Sequence, residues 1–420
     1  MSAPNIRITL ERTRCYLTEV LLPFWIDRAP DPDFGGFLTY FDGAGRPTGE
    51  TAKTFLMQVR TLYTMASAHR AGYGGGRCAE LAHEAARFLI DHYWDDEHGG
   101  WYWSADRHGR PTSTGKIGYG QCFAMYAFGE YHLATGVAEG RDAMERTLAV
   151  VEERMVDRER GGYFEIMQRD FQPERPGRHG GDRKSFDVHM HMMEALTKVF
   201  EVTGDAAHRA RLVEVIDLIV AKMLDPTHGT GIQQFSLDFE PLPSIEFDVR
   251  WGRDADAEAK PIDVTSYGHN VEFAWLLQVA AVTLGMPSQR YADVCTKLYA
   301  HCLRFGIDAE YGGVYIEGKI DAVPADREKQ FWQQAEVMVG MLDAWTLLGD
   351  PRYFDAFENV HAFVFDKFVN LPAGGEWRAL VDREGAPVWD YLGDAWKINY
   401  HTVRAMIEVV RRLTARLETV

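Results

Sequence analysis

The chain has 420 residues, 46% apolar and 25% charged, which is too apolar for a disordered chain, and no apolar run approaches the roughly 18–20 residues of a membrane span. Its 45 Lys and Arg against 62 Asp and Glu leave a net charge of −17, and such a surface repels nucleic acid and anionic lipid. Five scattered cysteines with no C-x-x-C pair argue against a disulfide framework or a zinc–thiolate site. The N-terminal MSAPNIRITLERTRCYL lacks the apolar core of a signal peptide, so a cytoplasmic protein is expected.

In chain order, apolar spacing predicts helices near 7–27, 52–72, 77–94, 117–136, 141–157, 187–203, 206–224, 266–284, 288–304, 329–348, 351–368 and 394–417. Between them a repeat recurs. Paired glycines stand at Gly35-Gly36, Gly99-Gly100, Gly161-Gly162, Gly312-Gly313 and Gly374-Gly375, with Gly229-Thr230-Gly231 in the remaining interval. Four residues before the first glycine of each stands Asp31, Asp95, Asp157, Asp308, Asn370 or Asp225. Each leads into a β-like run such as GWYWSAD or GEWRALVD, then a proline: Pro47, Pro111, Pro173, Pro241, Pro324 and Pro387. The Asp suits an Asx turn, the Gly supplies positive φ, and strand, acidic turn and Pro read as a hairpin.

Twelve helices in six helix–hairpin–helix units close most simply into an all-α (α/α)6 barrel, with short β-hairpins between outer and inner helices. An open solenoid is the rival, but the polar end caps it requires are not visible. One domain over residues 1–420 is expected, with the helix after each hairpin on the inside.

Superposing the repeats gathers polar residues at one rim. The inner helices open with Lys53 and Arg60; Lys116, Tyr119 and Gln121; Asp187, His189 and His191; Tyr267, His269, Asn270 and Glu272; Phe331, Trp332, Gln334 and Glu336; and Trp396, Lys397, Tyr400 and His401. A lone histidine in an apolar helix is more often a hydrogen-bonded core residue than a catalyst. His269 and His401, however, occupy equivalent repeat positions on different inner helices. His189 and His191 are two apart, about 200° around a helix, so only one of them faces the cavity. Glu317 ends a hairpin strand. No metalloprotease spacing is present; a metal held by His191, His269 and His401 is the alternative to the expectation of no metal and no cofactor.

Two histidines across a cavity suit proton removal from one face of a carbon and return to the other. Arg60 is placed to stabilise an enolate oxygen. This is equipment for C2 proton chemistry on an open-chain aldose: 2-epimerisation or aldose–ketose isomerisation. Paired carboxylates from Glu272, Glu336 and Asp187 leave a glycoside hydrolase as the rival enzyme. A non-catalytic carbohydrate- or protein-binding barrel is the rival from another class. The partner is a small sugar; the oligomeric state, monomer or homodimer, stays open.

The segments YGHNVEFAWLL, DVHMHMMEAL, FWQQAEVMVGM and AWKINYHTVRA resemble the inner-helix motifs of the N-acylglucosamine 2-epimerase superfamily, which includes cellobiose 2-epimerases and mannose isomerases. The resemblance implies that His401 and His269 are the acid–base pair at C2, that His191 assists ring opening, that Arg60 stabilises a cis-enediolate and that Glu272 orients His269. It implies further that Tyr119, Trp332, Glu336 and Trp396 line the sugar site, that Glu317 contacts a second sugar, and that no metal or nucleotide takes part. Departures from the cellobiose 2-epimerase pattern are Asp187 where Asn is usual, Asn270 where Asp is usual, and Phe331-Trp332 where two Trp are common. The segment SIEFDVRWGRDADAEAKPIDV is long and is expected on the rim, placed to close over the cavity. These departures put disaccharide recognition in question and leave the proton chemistry intact.

Overall fold

A helix follows each glycine-rich turn, and the turns explain why. In the computed structural model, which describes residues 3–177, 180–246 and 258–418, the Asp31 carbonyl accepts from Gly35 N at 3.0 Å and Asp31 N donates to the Gly36 carbonyl at 2.9 Å; the same pair of bonds recurs at Asp95, Asp157 and Asp308. Gly35 and Gly36 have φ of 72° and 64°, a region closed to most side chains. The turn reverses the chain and delivers it to the start of an inner helix.

The inner helices are α3 (Phe55–Arg70), α5 (Gly118–Thr135), α7 (Phe186–Thr203), α9 (Tyr267–Thr283), α11 (Phe331–Leu348) and α13 (Asn399–Glu418). Each packs on the next, and α13 packs back on α3, so the ring closes. The outer ring is α1 (Ala3–Tyr16), continued through a π-turn into α2 (Leu22–Arg28), then α4 (Gly75–Tyr93), α6 (Ala138–Arg154), α8 (Ala206–Lys222), α10 (Ala292–His301) and α12 (Pro351–Phe363). Composition separates the rings. Residues 120–131 of α5 are all buried, as a helix surrounded by others requires, whereas α4 buries one stripe through Cys78, Leu81, Ala85 and Leu89. The architecture is the (α/α)6 barrel, with the helix after each hairpin inside.

Short strands crown one end. Lys53-Thr54 pairs with Ser104-Ala105, Lys116-Ile117 with Ile166-Met167, Arg183–Ser185 with Gln234–Ser236, Val264–Ser266 with Glu317–Lys319, and Lys329-Gln330 with Leu380-Val381. Each unit therefore adds its strand to the hairpin of the next. The bridge between Phe41 and Gly393 joins the last unit to the first. The prolines fall into register six residues on, as in Ala105 with Pro111, Phe235 with Pro241 and Val381 with Pro387.

A buried ion pair ties each turn to its inner helix. The Lys53, Lys116, Lys184 and Lys329 ammonium groups lie 3.0, 3.0, 2.8 and 3.1 Å from Asp31, Asp95, Asp157 and Asp308. In the sixth unit Lys397 pairs with Glu376 at 2.9 Å, and in the fourth the uncharged Thr265 donates to the Gly231 carbonyl at 2.8 Å. Lys53, Lys116 and Lys397, expected at the ends of the cavity helices, thus precede those helices and face the turns. The last inner helix begins at Asn399 rather than 394, because the Asp394 carboxylate takes the Trp396 and Lys397 amides. A second tie is an amide side chain: Gln58, Gln121 and Gln334 each accept from and donate to one hairpin residue, Phe37, Trp101 and Val314. His189 fills this place in the third unit, accepting from Tyr163 N at 3.1 Å.

Phe171 and Phe239 hold φ of 65° and 66° where other hairpins use Gly45, Gly109 and Gly385. Their rings lie 5.6 and 4.5 Å from the ammonium groups of Lys116 and Lys184, an attraction that offsets the backbone strain.

Removing one partner of such a pair leaves a buried charge. Lys184→Met leaves Asp157 with only the more distant Arg160 guanidinium at 3.7 Å as its cation and also frees the Gly161 and Leu237 carbonyls. The expected cost is about 3–5 kcal/mol of unfolding free energy, read from the urea midpoint at constant slope. A loss below about 1 kcal/mol would show that the clamp does not hold the crown.

Candidate active site

The crown end opens into a cavity of about 330 Å³ between the inner helices, within the usual range for small-ligand sites. Its walls include Arg60, Tyr119, Asp187, His191, His269, Glu272, Trp332, Trp396 and His401. The spacing along the repeat explains this gathering. Three residues beyond the clamp position stand Tyr119, Asp187 and Trp332; four beyond stand His269 and His401; seven beyond stand Arg60, His191, Glu272 and Glu336, with Arg404 completing the series in the last unit. Each offset is one layer of the barrel.

The two equivalent histidines both lie near one indole. His269 and His401 have ring centres 4.6 and 5.8 Å from that of Trp332. His401 Nδ1 lies 2.7 Å from Glu336 Oε1. A carboxylate only accepts, so Nδ1 carries the hydrogen and Nε2 keeps its lone pair. Burial, reinforced by the Arg60 and Arg404 charges, pushes the His401 imidazole down to about 3 and keeps it neutral. Burial also lowers His269, against the pull of Asp187.

His191 has the opposite character. Its Nδ1 is 2.8 Å from Glu194 Oε2 and its Nε2 is 3.3 Å from Asp187 Oδ1. Burial opposes the charged form, but these carboxylates outweigh it and push the imidazole up to about 10. His191 is therefore an imidazolium. Tyr119 Oη sits 3.3 Å from its Nε2 and accepts from Arg60 Nη2 at 2.9 Å. The Arg60 guanidinium also lies 4.6 Å from the Phe123 ring centre and 5.0 Å from that of Tyr400.

Beneath the cavity floor Arg404 collects three carboxylates: Glu194 at 2.7 Å, Glu272 at 2.6 Å and Glu336 at 2.8 Å. All four side chains are buried. Burial and the neighbouring Glu336 raise the Glu272 carboxyl, whereas Arg404 and His401 overcome burial and hold Glu336 low. Sequence reasoning passed over Arg404 and Glu194. The signal available was their spacing, each three residues beyond a cavity histidine on the same helix face.

Two expectations are corrected. Glu272 does not orient His269; its carboxylate is turned to Arg404. Glu336 does not line the cavity but stands behind His401, also accepting from Trp275 Nε1 at 3.2 Å. Glu317, expected to contact a second sugar, is tied to Lys260 at 2.9 Å, and Lys260 borders the cavity. Ser244 and Lys260 exchange backbone bonds of 2.9 and 2.8 Å and border the cavity with Ile245 and Glu246. Closure of the long segment over the cavity was expected of residues that include 247–257, which lie outside the described residues.

Among the described residues, Glu272, Glu336 and His401 form the group whose donor atoms come close enough to share an ion, within 4.8 Å, and His191, His269 and His401 do not form one. The two carboxylates of that group are already bridged by the Arg404 guanidinium. Arg404→Met is expected to cost at least about 3 kcal/mol of stability, because three carboxylates lose their cation at once. Glu336→Gln in the same chain should restore part of that loss, since the carboxylate held low, and so ionised, is removed. Chemical denaturation of both variants checks this, and equal instability of the double variant would contradict it.

Comparison with known proteins bears on what this geometry serves. The sequence profile of the N-acylglucosamine 2-epimerase (GlcNAc 2-epimerase) family matches residues 35–405. A cellobiose 2-epimerase from Bacteroides fragilis is 29% identical over 94% of this chain and 96% of its own. A D-mannose isomerase from Thermobifida fusca is 25% identical over 93% of both chains. The structure of cellobiose 2-epimerase from Spirochaeta thermophila superposes with a TM-score of 0.86 at 29% identity, covering 99% of this chain and 98% of that one.

Proposed function

The chain belongs to the N-acylglucosamine 2-epimerase family, and on that premise we propose that it is a sugar 2-epimerase interconverting C2 epimers of a reducing aldose, of the cellobiose/mannobiose or glucose/mannose type. The observation that carries the reading is the placement of His269 and His401 on the wall of one cavity, each with its ring near Trp332. The open-chain sugar lies between them. One imidazole removes the C2 proton, the electron pair passes into a cis-enediolate, and after rotation about C2–C3 the other imidazole protonates the opposite face.

The remaining groups divide the work. Arg60 stabilises the enediolate oxygen, with Tyr119 as its partner. The His191 imidazolium donates to the ring or carbonyl oxygen and assists ring opening. Trp332 and Trp396 stack on the sugar. Glu336 and Glu194 act through the histidines they hold. The scheme uses no metal and no organic cofactor: the charge of Glu272 and Glu336 is met by Arg404. Five unpaired cysteines suit a reducing compartment, and a cytoplasmic enzyme is the accompanying reading. No helix among the described residues is long and apolar enough to cross a membrane.

A second reading, aldose–ketose isomerisation of the D-mannose isomerase kind, needs one base to carry the proton from C2 to C1 on a single face. NMR in D2O with cellobiose, mannose and glucose separates the cases. Epimerisation retains the disaccharide mass and places deuterium at C2 of the new epimer; isomerisation yields a ketose labelled at C1; hydrolysis releases glucose from cellobiose. His269→Ala and His401→Ala are each expected to lower kcat by about 10²–10⁴ with the fold retained by circular dichroism. Near-wild-type turnover in either variant would end the two-base scheme.

A further inference from the structure

Trp332 and Trp396 lie in the cavity; a second aromatic pair lies outside it. Trp389 and Tyr391 stand on the crown with ring centres 6.2 Å apart and planes within 21° of each other. Trp389 is 49% exposed. An indole left on an outer strand forgoes burial that its large apolar area would favour.

Strand register fixes where it stands. Gln330, Leu380 and Trp389 lie directly opposite one another on three adjacent strands, so their side chains share one face. The repeat identifies that face. The equivalents of Gln330 and Leu380 are Ile117 and Ile166 in the second unit and Ser185 and Gln234 in the third. All four, and Gln330 itself, line the cavity. Trp389 therefore continues the cavity wall onto the crown, two strand spacings or about 10 Å beyond Gln330. Both ends of this strip are tied to the cavity indoles. Gln330 Oε1 accepts from Trp332 Nε1 at 3.0 Å. Tyr391 has the Asp394 carboxylate as hydrogen-bond partner, and that carboxylate takes the Trp396 and Lys397 amides.

We propose, on the basis of the epimerase reading, that Trp389, backed by Tyr391, is a stacking platform for a sugar ring beyond those held in the cavity. The ligand is then a neutral β-linked gluco-oligosaccharide of three or more rings, with its reducing end at the histidines. Such a chain is extended and reaches along a wall, and its equatorial hydroxyls leave faces of axial C–H bonds that lie flat on an indole. Charge selects against other occupants. Among residues 382–391, Asp382, Glu384 and Asp390 are acidic, and the one cation, Arg383, is turned to Asp308 and Glu310. An anionic chain is repelled there, and two copies of the protein meeting through this patch would bring like charges together.

The test compares full-length wild type and Trp389→Ala on cellobiose, cellotriose and cellotetraose, and on their reduced alditols, which lack the aldehyde and cannot be turned over. Calorimetry on the alditols reads binding apart from catalysis. Wild type is expected to bind the tetraose alditol about fivefold or more tighter than the cellobiose alditol. In W389A that preference should vanish, with binding of the cellobiose alditol altered less than about twofold. The kcat/KM values for the reducing sugars should follow the same pattern, carried by KM. Trp389→Phe, which keeps a ring to stack on, should keep part of the preference, and cellobiose turnover reports the fold of each variant. Wild-type affinity that does not rise with chain length overturns the proposal, as does a preference that survives in W389A. Light scattering judges a second copy as occupant: a dimer that W389A splits, with no length preference in either protein, overturns the proposal as well. If wild type exchanges no C2 hydrogen while the alditol preference depends on Trp389, the epimerase reading falls and the platform stands. If wild type epimerises cellobiose and shows no preference for longer chains, the platform alone falls.

Discussion

A single buried guanidinium sets the conditions for everything above it. Arg404 rises from α13 to meet carboxylates from α7, α9 and α11. Three such carboxylates without a cation would repel one another across the barrel axis, and desolvation would push each toward its neutral form. With Arg404 in place, Glu336 stays ionised and fixes the tautomer of His401. Glu194 likewise stays ionised and holds His191. The cavity thus receives one neutral imidazole and one imidazolium from residues that differ little in chemistry. Their different charge states are decided a layer below.

The crown supplies the matching constraint from the other side. Five inner helices are preceded by an extended backbone pair, and each of the six by a buried lysine or its substitute. Fixing the start of a helix fixes the angular position of every later side chain, because each residue advances about 100°. The offsets of three, four and seven residues from the clamp therefore become layers. In the fourth unit an uncharged threonine replaces the lysine, and that unit also lies beside the Ser244–Lys260 bridge and the cavity mouth.

The cavity itself is asymmetric although the ring that builds it is not. Position seven carries Arg60, Phe123, His191, Glu272, Glu336 and Arg404 around the six units. The two arginines lie on neighbouring helices, α3 and α13, and both bear on His401. Asp187 lies toward His191 and His269. Closure of the inner ring brings Trp332 against both imidazoles.

Much of this was open to a reader of the sequence, because the glycine pairs, the leading aspartates and the prolines are local, and local turn chemistry is written in adjacent residues. The twelve helices, the inner and outer rings, and the meeting of His269 with His401 follow from repeat spacing; that of His189 and His191 it is His191 that faces the cavity was decided by the structure. What spacing does not contain is the partner of a buried charge. Glu272 stands three residues from His269 and was read as its support, yet it belongs to Arg404, 132 positions away. Lys53 and Lys116 have the look of cavity residues and are consumed by turns. The sequence by itself determined the repeat, the fold and the list of polar residues at one rim. Only the tertiary structure decided which carboxylate faces which cation, since in a low-dielectric interior that choice depends on angstrom distances between helices far apart in the chain.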